Sequence, residues 1–102
     1  MDVRNNEDEN RYELEVDGHL AIAEYRLRPG RIVFTHTEVP DALEGRGIGK
    51  RLIKAALDDV RRQGLKVVPI CPFVKHYIDT HPEEQDLLAY TRRPSGGWGP
   101  GG

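Results

Sequence analysis

Cysteine is almost missing from this chain of 102 residues, and so are methionine and tryptophan, with one of each. A single thiol, Cys71, excludes an internal disulfide and a cysteine-cluster metal site, and a reducing, cytoplasmic setting is the expectation that follows. No run approaches the roughly 20 apolar residues of a membrane span, and the first residues lack a signal peptide's apolar core. Charge of one sign is missing as well. Fifteen Lys and Arg stand against 17 Asp and Glu, a net charge of -2, which gives no basic field for nucleic acid or an anionic membrane.

What is present reads as one small α+β domain over residues 11–91, between a loose segment (1–10) and a Gly/Pro tail (92–102) that carries Trp98. "RYELEVD" alternates, with Tyr12, Leu14 and Val16 on one side and Arg11, Glu13 and Glu15 on the other, which predicts a half-buried strand. Asp17-Gly18 is a hairpin signal, "HLAIAEYRL" a second strand, "RPGR" a turn and "RIVFTHTEV" a third strand. The period then changes. Gly49, Leu52, Ile53, Ala56, Leu57 and Val60 form one helical stripe, and Gly64 suits the end of that helix. "LKVVPI" predicts a fourth strand, so helix and strands make a right-handed crossover to a parallel partner. A short helix, "PFVKHYIDTH", and a last turn or two from Pro82 complete the domain. The Lys/Arg face of the long helix also carries Asp58, which suits internal pairs such as Asp58–Arg62 better than nucleic acid.

Gly45, Gly47 and Gly49 crowd the start of the long helix, where each helical glycine costs about 1 kcal/mol against alanine. A P-loop fails on spacing, because Glu44 stands at the first glycine position and Arg51 follows Lys50. The dinucleotide fingerprint fails because Gly45 and Gly47 lead to Lys50. One reading is an anion cradle. The first helical amides have no acceptor, the helix dipole favours negative charge, and Arg46, Lys50 and Arg51 add full charges. The other is a tight strand-to-helix turn that uses glycine only for its φ angles.

"EGRGIGKRLIKAAL" resembles motif A of the GNAT superfamily of N-acetyltransferases, Q/R-x-x-G-x-G/A, which wraps the pyrophosphate of coenzyme A. Gly47 and Gly49 fall on its small positions, with Arg46 and Ile48 around them. Glu44 departs from the usual Gln or Arg, and its carboxylate must turn outward. "HTEVPDALEGRGIG" with "CPFVKHYIDTHPEEQDLL" is similar to the short, minimal GNAT-like proteins, a likeness covering roughly residues 11 to 90. The resemblance implies a minimal GNAT fold: a three-stranded antiparallel meander, a crossover to a fourth, parallel and splayed strand, and a short C-terminal helical segment. It implies acetyl-CoA as co-substrate and no metal. Gly45, Arg46, Gly47, Ile48, Gly49, Lys50 and Arg51 would hold the phosphates. The backbone around Glu38, Val39 and Pro40 would pair with the pantetheine arm like an added strand. Tyr77 would pack on that arm or donate to the leaving thiolate.

Ligands of open α/β sheets bind beyond the carboxyl ends of parallel strands. Those ends are Thr37 to Pro40 and Ile70 to Cys71, with Pro69 tolerated where its missing N–H has no partner. Cys71 reads either as a small buried hydrophobe or as a thiol facing the thioester, activated by the helix that begins at Pro72. His36 alternates onto the side of Ile32, Phe34 and Glu38. It is either a hydrogen-bonded core residue or a base for an ammonium substrate or the cysteine. Glu38 would orient that imidazole or accept the proton through water; as a bland alternative it is a solvated carboxylate. His76 and His81 read as surface or capping residues.

Together these features predict an acetyl-CoA-dependent N-acetyltransferase acting on an unidentified amine: a protein, a peptide or a small molecule. Transfer would run directly with His36 or Glu38 as base, or through Cys71. The alternative, a coenzyme A-binding or protein-interaction module with little turnover, draws on the small size. No motif fixes the acceptor or the oligomeric state.

Overall fold

The alternating N-terminal half folds into hairpins. In the computed structural model, which describes residues 3–89, β1 (Arg4–Asn6), β2 (Arg11–Val16), β3 (His19–Arg28) and β4 (Arg31–Glu38) pair antiparallel in turn. Helix α1 (Ile48–Arg62) then crosses to β5 (Lys66–Pro69), which runs parallel to β4, and α2 (Pro72–Asp79) follows. The five strands form one sheet in the order β1-β2-β3-β4-β5. Asp17 and Gly18 take φ of 52° and 78°, the two left-handed residues that a tight hairpin turn needs. Short 3-10 turns at Asp41–Leu43 and Pro82–Leu87 complete the path. The expected tail and Trp98 lie outside the described residues. No helix among the described residues is long and apolar enough to cross a membrane.

Two expectations are corrected. The first is the loose segment 1–10, part of which forms β1 and turns the three-stranded meander into four strands. The reason is Glu13. Its side chain was expected to face solvent, yet it is 2% exposed, because Arg4 Nε (2.8 Å), Asn6 Nδ2 (3.0 Å) and Arg11 Nε (2.6 Å) all donate to it. Burying a carboxylate is tolerable only with such compensation, and two of the three donors sit on β1.

The second correction concerns β4. Opposite β3 the register pairs Ala23 with Thr37 and Glu24 with His36, then jumps to Tyr25 with Phe34. Thr35 is therefore an extra residue, a β-bulge, and its Oγ1 lies 3.4 Å from the Glu24 carbonyl oxygen. One inserted residue inverts the alternation. Phe34 and Thr37 now share a side, whereas His36 and Glu38 turn to the opposite one.

Tyr12, Leu14, Ala21, Ala23, Tyr25, Ile32 and Phe34 line the side covered by α1, which contributes Ile48, Leu52, Ile53, Ala56, Leu57 and Val60 to the same core. Cys71, Val74 and Ile78 join it from the start and body of α2. Tyr12 Oη donates to Asp59 at 2.7 Å and ties β2 to α1. Within α1, Asp58 pairs with Lys54 at 2.8 Å, and Arg62 with Asp59 at 3.2 Å, not Asp58 with Arg62.

Candidate active site

The ladder between β4 and β5 ends at Phe34 and Pro69, although β4 runs on to Glu38. Beside that end the Cys71 amide still reaches across, donating to the Phe34 carbonyl at 2.8 Å. Beyond it the strands part. The gap opens next to the first turn of α1, so the glycine turn, the end of β4 and the start of α2 meet in one place.

Gly47 caps α1 with φ 72° and ψ 17°. A Cβ there would meet nothing within 4 Å, so glycine is needed for its backbone conformation and not for want of room. Arg51 N bonding Gly47 O at 3.1 Å opens the helical ladder. The amides just before it have no intrahelical acceptor. Ile48 is buried and anchors the turn. Gly49 differs: a Cβ would lie 2.6 Å from Phe73 Cζ and 3.3 Å from Val39 Cγ2, so here the constraint is packing. Lys50 reaches into a groove of about 540 Å³ lined with Phe73, His76, Tyr77, Thr80 and His81. Arg46 instead pairs with Asp17 of the β2–β3 turn at 2.8 Å, and Gly45, Glu44 and Arg51 are exposed.

Tyr77 is buried and stacks on His81, with centroids 3.9 Å apart and planes within 10°. His81 Nδ1 lies 2.7 Å from the Tyr77 carbonyl oxygen, so His81 closes the end of α2 as a capping residue would. Burial, reinforced by Glu84, raises the Tyr77 phenol above its ordinary pKa. His76 is exposed along the groove.

At the gap itself, Cys71 is 3% exposed and its Sγ lies 3.2 Å from Thr37 Oγ1. It precedes Pro72 at the start of α2, yet the thiol makes no capping bond to that helix. His36 Nε2 and Glu38 Oε2 stand 3.1 Å apart, with side chains 51% and 66% exposed. The bulge therefore divides the residues expected to act together: Cys71, beside Thr37, is on the helix side, and His36 and Glu38 are on the other. Val39 packs toward Gly49, and the Pro40 carbonyl already accepts from Leu43 at 2.8 Å. Among the described residues no group of three or more His, Cys, Asp or Glu could hold a metal.

Sequence reasoning missed Phe73 and Thr37. Phe73 was readable only as a large residue that must face a glycine, and Thr37 only by knowing that Thr35 bulges.

The family described as GCN5-related N-acetyl-transferase matches residues 11–87. Protein NATD1 from Homo sapiens and from Mus musculus are each 46% identical over 68 residues, 66% of this chain. The match spans 60% of the human and 62% of the mouse protein, so the chain corresponds to about three fifths of each. A GCN5-like protein from Staphylococcus aureus, solved by NMR, superposes with a TM-score of 0.72 at 29% identity, covering 94% of both chains. With a family match over most of its length and a solved relative that superposes over 94% of both chains, the chain belongs to the GCN5-related N-acetyltransferases.

Proposed function

We propose that this protein transfers the acetyl group of acetyl-CoA directly to an amine, with His36 as the base and Glu38 as its orienting partner. The observation that carries the reading is the two-sided end of β4: an open glycine turn and groove on one side, and an exposed imidazole–carboxylate pair on the other. The residues present suit the coenzyme. The free amides after Gly47 and the ammonium of Lys50 would hold its phosphates, and the unpaired edge of β4 up to Val39 would receive the arm as an added strand. Bound there, acetyl-CoA supplies an acyl thioester, and the acetyl carbon gains a C–N bond as its C–S bond breaks.

The remaining work belongs to the chain. An amine reaching the exposed side of β4 meets His36, which takes the proton that an ammonium must lose before its nitrogen can attack. Glu38 Oε2, 3.1 Å from Nε2, holds the imidazole in place. Amides at the end of β4 would stabilise charge on the carbonyl oxygen. The second proton, shed by the nitrogen as the amide forms, goes to the departing sulfur, with the Tyr77 hydroxyl as relay: it gives its own proton to the sulfur and takes the nitrogen's. Burial of the Cys71 thiol against Thr37 favours this direct route over an acetylated cysteine.

Calorimetric titration with coenzyme A and acetyl-CoA, followed by turnover against amines and peptides, tests the proposal. His36→Ala is expected to keep coenzyme affinity and to lower the rate about 10²-fold or more. Coenzyme binding with acetyl-CoA left intact against the whole panel would instead support a binding module.

A further inference from the structure

Phe73 is the second residue of α2, and it is 40% exposed although aromatic. Its ring does not stand free. It lies over Gly49, so close that a Cβ there would sit 2.6 Å from Cζ and 3.3 Å from Cε2, and the Val39 methyl Cγ2 comes within 3.3 Å of the same point. Ring and methyl thus converge from two sides on the first turn of α1. Beside this closure is the 540 Å³ groove with Lys50, His76 and Tyr77. Two residues before Phe73 in the chain is Cys71, whose Sγ lies 3.2 Å from Thr37 Oγ1 at the strand gap.

We infer that the Phe73 ring is a gate in the coenzyme path, seated on Gly49 when closed and turned into the groove when open. The inference rests on the proposed function: a ligand with its phosphates at the glycine turn and its reacting end at the strand gap must cross where ring, Val39 and Gly49 meet. The ring can leave. Its far edge, Cζ and Cε2, is the part of the ring beside Gly49, partly exposed side chains change rotamer quickly, and the groove offers an apolar wall at Tyr77. Turning the ring exchanges one apolar contact for another, and the opened ring can then pack along the arm. Gly49 acquires a reason beyond phosphate approach, because any side chain there would unseat the gate.

Stopped-flow association of coenzyme A with the wild type, Phe73→Ala and Phe73→Trp decides the matter. Partial exposure of Phe73 makes both variants compatible with folding, which circular dichroism checks. Phe73→Ala is expected to raise the association rate constant at least threefold, and Phe73→Trp to lower it at least threefold. An unchanged or slower association in folded Phe73→Ala overturns the gate while leaving the functional reading intact. A wild type that binds no coenzyme A overturns the functional reading, and the gate with it.

Discussion

Glu13 places a carboxylate where water cannot reach it, and three donors from β1 and β2 make that possible. Burial alone would raise its pKa, but the hydrogen bonds from Arg11, Asn6 and Arg4 outweigh burial and hold it below the usual carboxylate range. A depressed folded pKa means that the ionised form contributes stability above the unfolded value, near 4.3. That contribution is lost as pH falls through the lower folded value. Urea midpoints should therefore drop below about pH 4 in the wild type. Glu13→Gln should cost about 1–3 kcal/mol at pH 7 and flatten the acid limb. An equally steep acid limb in the variant would assign the acid sensitivity elsewhere. Asp59 also sits below its ordinary range, its burial outweighed by donors from Tyr12, Gln63 and Arg62, so some slope should persist.

At the scale of elements, α1 was the most legible part of the chain. Every position of its apolar stripe from Gly49 to Val60 is buried, because a 3.6-residue period leaves few alternatives. The hairpin turns and the parallel β5 were legible for similar reasons. The bulge was not: "RIVFTHTEV" alternates acceptably with or without an extra residue, and only the register against β3 reveals Thr35. Strand β1 was hidden because "RNN" has nothing apolar to bury, and its pairing depends on a carboxylate on β2. For the candidate site, spacing located the glycine turn and the cysteine ahead of α2, but not which side of β4 each group faces. The turn makes its own prediction. Gly47→Val forces a β-branched residue to φ near 72°, which costs of order 1–3 kcal/mol and tilts the amides after it. Coenzyme A affinity should fall at least tenfold, about 1.4 kcal/mol, with helix content retained by circular dichroism. Unchanged affinity would remove the turn from the binding site.

Across the whole molecule, the sheet works as a partition, with its helices and groove on one side and the His36–Glu38 pair on the other. A thioester entering from the helix side and an amine from the opposite side would meet where β4 and β5 part, without competing for one entrance. Cys71 stands on the helix side of that partition, which makes the choice of route measurable, since it is the only thiol in the chain. In direct transfer, Cys71→Ala should bind coenzyme A, keep most of its turnover, and lose only the packing of a small buried side chain against Thr37. Mixing wild type with acetyl-CoA alone should leave the intact mass unchanged, and initial rates should require both substrates together. An acetylated cysteine would give the contrary set: one added acetyl mass labile to hydroxylamine, ping-pong patterns, and no turnover in Cys71→Ala. His36→Ala supplies the complementary measurement, because an imidazole on the acceptor's side should not be needed merely to load a thiol on the other. If the mass adduct formed at the wild-type rate in His36→Ala while turnover to the amine disappeared, the partition would stand but the direct route would not.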